Sequence, residues 1–220
     1  MNVLVIAPHM DDETLGLGGT IRKHVVNDDN VNVVIIANRI YDHQYVDILF
    51  KKEKESTFKA KDILGYCDVH FLNLHDERLD MCLQDIIIPL EKYYNRILPD
   101  IVYVNYWEDN NQDHRAVFNA SRVIFRRAAF NPPKKIIVYE TPSSTEQTLP
   151  SYSIFTPNYY VNINDSIQIK LDAIACYEKE AREYPHPRSS EAILNLSKRR
   201  GIESGFNHAE AFIVIYDQWS

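Results

Sequence analysis

Apolar residues along the chain fall into short unbroken runs, separated by longer stretches in which they recur every three or four positions. The runs are NVLVIA (2–7), VNVVIIA (31–37), VHFLNL (69–74), DIVYVNY (100–106) and KKIIVYE (134–140). Each has the length of a strand, and the continuous ones suit a strand covered on both faces. Between them GLGGTIRKHVV, residues 49–64, LQDIIIPLEKYYNRI (83–97) and HRAVFNASRVIFRRA (114–128) read as helices. Gly65 supplies a stop for the second helix, and Pro89 predicts a kink or a later start in the third. Strand and helix alternating at this rhythm predict right-handed crossovers. The fold class is therefore α/β, a Rossmann-like, mostly parallel sheet with helices on both faces.

The rhythm changes after residue 140. TPSSTEQTLPSYSIFTPN (141–158) reads as a loop too long to be a plain connector, so it is expected to serve or cover a site. YYVNI (159–163) reads as a strand. IQIKLDAIACYEKEAREY (167–184) and SEAILNLSKRRG (190–201) read as helices, the latter capped by Ser189 or Ser190 and stopped by Gly201. AEAFIVIYD (209–217) is a closing strand. There is no internal repeat, and residues 1–220 are expected to form one domain whose C-terminal helices and strand complete the site.

Composition narrows the function. The 220 residues are 45% hydrophobic and 25% charged, enough for a sizeable core. A formal charge of −7 argues against nucleic acid as a partner. The short KKEK at 51–54 reads as a solvated helix face. Cys67, Cys82 and Cys176 form no CxxC pair, and their odd number argues against a disulfide framework; a reducing, cytoplasmic setting is expected. The first apolar run is six residues long with no basic stretch before it, which predicts neither a leader nor a membrane span.

The candidate chemistry lies at strand ends. PHMDDE (8–13) follows the first strand directly, and three adjacent carboxylates repel one another unless a positive charge offsets them. Ligands of an open parallel sheet bind beyond the carboxyl ends of its strands. The fourth strand is followed by WEDNNQDHRAV, which brings Asp113 and His114 to the same edge. His9, Asp12 and His114 would give a catalytic zinc ion its three protein ligands, one ion per chain, and Asp11 would take a proton from water. Iron(II) would fit the same ligands. An Asp-Asp pair by itself is usually a solvated turn or a helix cap. GLGG (16–19) invites a dinucleotide reading, but residues 8–15 separate it from the strand and include acids that would repel a pyrophosphate. Close helix–sheet packing is the better account of these glycines. His24, His43 and His70 have no comparable neighbourhood and read as structural or surface residues.

APHMDDETLGLGGT resembles the AHPDDE motif of the PIG-L/LmbE-like zinc-dependent N-deacetylases, with Met10 where proline is usual, and NQDHRAV (111–117) resembles their second motif. FLNLHDERLD, PDIVYVNY, YETPSST, PHPRSSE and the closing RG…AEAF are similar to family segments, so the resemblance covers nearly the whole chain. It implies His9, Asp12 and His114 as metal ligands, Asp11 as general base and Asp113 as an orienting acid. Asn111 departs from the family pattern, which often has histidine there to assist the transition state or protonate the leaving amine. Asparagine donates a hydrogen bond but delivers no proton. The amine would then be protonated by Asp11 after it has accepted the water's proton, or by His208 or His186.

The implied substrate is a small N-acetylated amino sugar or sugar conjugate. Tyr106, Trp107 and Glu108 adjoin the second motif, and some of them, Trp107 first, are expected to border the pocket. Arg78 and Arg188 would bind an anionic part of the substrate or lock a loop through salt bridges. Lys52 or Lys54 loosely matches a substrate-reading position of relatives. The rivals are a non-catalytic zinc- or sugar-binding protein, suggested by Asn111, and a two-metal phosphoesterase, for which the second strand end offers only Asp42. The oligomeric state is left open, and a homo-oligomer is compatible with the sequence.

Overall fold

The computed structural model describes residues 1–38, 47–126, 131–149 and 154–219. Five strands, β1 (Asn2–Ala7), β2 (Asn30–Ala37), β3 (Asp68–Leu74), β4 (Ile101–Asn105) and β5 (Lys135–Tyr139), pair in parallel. Two more, β6 (Tyr159–Asn162) and β7 (Ala209–Asp217), extend the sheet, with β7 antiparallel to both neighbours. The strand order is β3-β2-β1-β4-β5-β7-β6. The helices are α1 (Asp12–Val26), α2 (Asp47–Leu64), α3 (Leu83–Ile97), α4 (Gln112–Ile124), α5 (Ile167–Ala175) and α6 (Ser190–Ser204).

Alternate residues of the central strands face opposite cores, as the two-residue period of a strand requires. Leu4, Ile6, Val34, Ile36, Val102 and Val104 pack toward α3 and α4. Val3, Val5, Val33, Ile35, Tyr103 and Ile137 pack toward α1, α2 and α5. Burial on both faces is why these strands read as unbroken apolar runs. Among the described residues no helix is long and apolar enough to cross a membrane.

Several boundaries differ from the sequence expectation. The first helix begins at Asp12, on the acids themselves, and not at Gly16. Its backbone breaks at Leu17 (φ −146°), and the carboxylate of Glu210 accepts from Gly19 N (3.0 Å) and Thr20 N (2.7 Å), capping the second segment. Gly16 packs where a Cβ would come within 2.4 Å of the Tyr139 ring, which is the close helix–sheet approach expected of this glycine. Pro89 lies inside a helix that runs through it. Gly201 does not stop α6, which continues to Ser204 and ends at Gly205 (φ 79°). A Cβ at residue 201 would meet Phe206 O at 2.5 Å, so Gly201 serves a close backbone crossing. The largest difference is α5, which ends at Ala175 instead of continuing to residue 184. The Tyr177 hydroxyl donates to Glu13 Oε1 at 2.7 Å, and this buried tertiary bond turns the chain where local periodicity favours helix.

Candidate active site

The chain leaves β1 toward β2 and β3 on one side, and β4 and β5 lie on the other. The crevice at the carboxyl ends of β1 and β4 is therefore the topological switch point of the sheet. Pro8–Asp11 form the turn from β1 into α1, and residues 106–111 lead from β4 into α4. Asn105, at the end of β4, donates from Nδ2 to His114 O at 2.8 Å and so ties the start of α4 to the strand tip. Asn111 caps α4 by accepting from Asp113 N at 2.8 Å.

Three donor atoms meet there. His9 Nδ1 lies 3.2 Å from His114 Nε2 and 3.3 Å from Asp12 Oδ2, and His114 Nε2 lies 3.2 Å from Asp12 Oδ2. A tetrahedral ion bound at about 2.0–2.1 Å requires edges of about 3.3–3.4 Å between its ligand atoms. The triangle fits a single divalent ion with little rearrangement. Asp12 Oδ1 is buried without a hydrogen-bond partner among the described residues, a further mark of a missing positive centre.

Carboxylates lie behind the triangle, beside both imidazoles. His9 Nε2 lies 3.0 Å from Asp76 Oδ1 and 3.3 Å from Asp113 Oδ2. With Nδ1 turned to the triangle, Nε2 carries the proton and donates outward to these acids. His9, Asp76 and Asp113 also converge closely enough to hold an ion. His9 can serve both groups only as a bridging imidazolate, so Asp76 and Asp113 are better read as acceptors of its proton. Asp113 accepts in addition from Glu77 N (2.7 Å) and Leu79 N (3.1 Å), pinning the loop after β3. His114 Nδ1 lies 3.3 Å from Asp109 Oδ2, and Asp109 is held by the hydroxyls of Ser144 and Thr145.

The electrostatics follow from these contacts. Burial opposes charge on His9, but Asp113, Asp12 and Asp76 outweigh it and hold its pKa well above the usual imidazole range. Burial likewise opposes charge on His114, yet Asp12 and Asp109 raise its pKa to about 9. Asp12, despite burial, is kept well below the carboxylate range by His114 and His9. Without an ion, protons on the imidazoles supply the positive charge that these acids demand.

Asp11 adopts φ 114° at the N-cap of α1, an unfavourable region for a residue with a Cβ. Its amide donates to Glu13 Oε2 at 3.2 Å, and its carbonyl accepts from Thr14 N and Leu15 N. The Asp11 carboxylate pairs with Arg188 Nη1 at 2.9 Å. Arg188 also bonds Glu180 Oε2 (2.7 Å) and Ser143 Oγ (2.6 Å). Glu13 is buried, and desolvation, reinforced by Asp11, lifts its pKa to about 7.

A cavity of about 470 Å³ opens beside the triangle, lined by His9, Asn111, Asp113, Ser143, His186 and Arg188 among others. Glu180 and Arg182 also line it, brought there by the early end of α5. Asp11, Asp12 and His114 lie deeper, at 1%, 0% and 2% exposure.

The sequence-predicted residues divide accordingly. His9, Asp11, Asp12, Asn111, Asp113, His114 and Arg188 come together. His208 does not: it bonds Ser197 Oγ of α6 at 2.9 Å and is absent from the cavity wall. Trp107, partly buried, meets the rings of Tyr106 and Phe118 at tilted angles and packs against the core cluster that includes α4; neither it nor Tyr106 is among the residues lining the cavity. Arg78 is exposed on the loop beside Glu77 and does not line the cavity. Lys54 donates to Asn73 Oδ1 at 2.9 Å. Asp42 and His43 lie outside the described residues. Asp76 and Asp109 were missed, although each lies in the segment that follows a strand, β3 and β4 respectively, as His9 follows β1.

Fold and site together define an α/β protein with a mostly parallel sheet and a candidate metal centre at its switch point. Residues 4–125, more than half of the chain, match the PIG-L family model, described as GlcNAc-PI de-N-acetylase, and the chain belongs to that family. It is 26% identical to diacetylchitobiose deacetylase of Thermococcus kodakarensis over 94% of this chain and 80% of the relative. It is 31% identical to the uncharacterized deacetylase YaiS of Escherichia coli K12 over 78% of this chain and 88% of the relative. Its fold matches the N,N'-diacetylchitobiose deacetylase of Pyrococcus horikoshii with a TM-score of 0.78 at 20% identity, covering 97% and 83% of the two chains. The fold equally matches GalB, the 4-carboxy-2-hydroxymuconate hydratase of Pseudomonas putida KT2440, with a TM-score of 0.78 at 20% identity over 100% and 98%. The enzyme class is that of the N-deacetylase hydrolases, and the fold alone does not fix the substrate.

Proposed function

We propose that the chain is a single-metal N-deacetylase that removes the acetyl group from a small amino sugar or sugar conjugate. The observation that carries this reading is the triangle of His9 Nδ1, Asp12 Oδ2 and His114 Nε2, with Asp11 next in sequence to a ligand. Zinc bound by these three residues, or iron(II) in its place, would acidify a water toward pKa about 7 and polarise the acyl oxygen. Asp11 accepts the proton of the attacking water, and Arg188 holds its carboxylate in place. Collapse breaks the C–N bond and needs a proton on nitrogen, because an amide anion is a very poor leaving group; Asp11 returns the proton it took. Asn111, whose Oδ1 is committed to the helix cap, has Nδ2 to donate into the cavity. Asp76, Asp109 and Asp113 fix the ligand imidazoles.

The cavity is lined almost wholly by polar and charged side chains, which suits the hydroxyls of a sugar. The diacetylchitobiose deacetylase relative supports the same class. Metal-loaded protein offered a panel of N-acetylated sugars and conjugates is expected to release acetate and free amine from at least one. Release from none, with metal bound, would contradict the reading; hydration of a muconate in its place would favour chemistry like that of the hydratase neighbour.

A further inference from the structure

The geometry points to His186 as a catalytic hydrogen-bond donor of fixed tautomer that acts on the acyl oxygen and not as an acid. This inference rests on the deacetylase reading. His186 lines the same cavity as His9 and Asn111. Its Nδ1 accepts the backbone N–H of Arg188 at 3.1 Å. An imidazole nitrogen that accepts cannot carry a proton, so the ring is neutral and its proton is on Nε2. Nε2 makes no hydrogen bond among the described residues, and with Nδ1 turned back onto its own loop it is the ring nitrogen left for the cavity.

The loop itself is held rigidly. His186 N donates to Glu183 O at 3.0 Å, and His186 O accepts from Ser189 N at 2.9 Å, where Ser189 caps α6. Two residues beyond the ring, Arg188 bonds Asp11, Glu180 and Ser143. The N–H that fixes the tautomer thus belongs to the residue that grips the proposed base. A donor preset in this way stabilises charge as it develops on the acyl oxygen without reorganising during the reaction. Asn111, which lines the same cavity, has its Nδ2 as a second donor. A neutral ring cannot protonate the leaving nitrogen without becoming imidazolate. The proton therefore travels from water to Asp11 and on to nitrogen, and His186 neither gains nor loses one.

Two measurements on the metal-loaded protein test the assignment. Long-range ¹H–¹⁵N correlation spectra of the active enzyme, with His186→Gln for assignment, are expected to show the His186 proton on Nε2 and none on Nδ1. A proton on Nδ1, in the other tautomer or in an imidazolium, would overturn it. Kinetics on a sugar that the wild type deacetylates are expected to show His186→Ala lowering kcat by about 10²–10³, the cost of one oxyanion donor. KM should stay within about threefold, the loss should be equal across the pH profile, and His186→Gln, which retains an N–H, should recover part of it. An unchanged kcat, a change confined to KM, or loss of the alkaline limb alone would refute this inference while leaving the deacetylase reading intact. Absence of wild-type turnover on every sugar would sink both.

Discussion

Arg188 Nη1 lies 2.9 Å from Asp11 Oδ2, joining the first strand–helix turn to a loop 177 residues further along the chain. The same nitrogen reaches Glu180 at 2.7 Å, so one guanidinium separates two carboxylates and braces the segment that replaces the end of α5. Arg188→Met keeps much of the stem volume but removes the charge and the Ser143 bond. Loss of hydrogen bonds to charged groups predicts a decrease of about 1.5–3 kcal/mol in unfolding free energy, read from denaturant melts. A melt superimposable on the wild type would show that the loop is held by other contacts.

Asp11 is held at φ 114°, and strain of this kind is maintained where function requires it. Asn tolerates positive φ and fills the same space, so Asp11→Asn should fold and bind metal as the wild type does. Turnover is expected to fall by about 10²–10⁴, the usual contribution of a general base. Steady-state rates beside metal analysis of the same sample check this, and full turnover with metal bound would remove Asp11 from the mechanism.

Glu13 imposes a pH dependence of a sign unusual for a carboxylate. Its folded pKa of about 7 exceeds the ordinary 4.5 because burial penalises the charged form. Its stabilising contribution is therefore complete below pH 4.5 and is lost as pH rises through 7. The interval corresponds to about 3 kcal/mol. Glu13→Gln does not titrate, so the stability of metal-free wild type relative to this variant should decline by roughly that amount between pH 4 and 8. Urea melts of the pair at several pH values read the difference directly, and a flat difference would show that Glu13 is ordinary.

Glu210 holds the broken helix α1 through Gly19, Thr20 and Lys170, whose Nζ approaches to 2.6 Å. Glu and Lys are 5% exposed each. Glu210→Ala strands a buried ammonium and two helix amides, and a loss of about 3–5 kcal/mol is expected in equilibrium unfolding. Lys170→Met in the same background removes the unpaired charge and should recover part of it.

The central strands were legible in the sequence because burial on both faces writes them as unbroken apolar runs, and Asn2–Ala7 and Ala209–Asp217 match residue for residue. The metal triangle was legible because His9, Asp12 and His114 lie in the segments that follow β1 and β4 at the carboxyl edge of the sheet. Tertiary contacts set what was not. The bond from Tyr177 to Glu13 ends α5 early, and that end carries Glu180 and Arg182 into the cavity. Trp107 gave a false signal, since adjacency to the second motif does not reveal which face of the sheet an aromatic ring takes. His208 precedes β7, which runs antiparallel and so starts at the carboxyl edge of β5, but its ring bonds Ser197 of α6 and its amide donates to Asn164 in the loop after β6.

The central claim is that one divalent ion is held by His9, Asp12 and His114. Anomalous diffraction at the zinc edge from crystals of zinc-loaded protein tests it most directly. The account predicts one strong peak per chain within bonding distance of His9 Nδ1, Asp12 Oδ2 and His114 Nε2. A peak on the Asp76–Asp113 side of His9 instead, or none at either position in protein shown by elemental analysis to carry zinc, would contradict it.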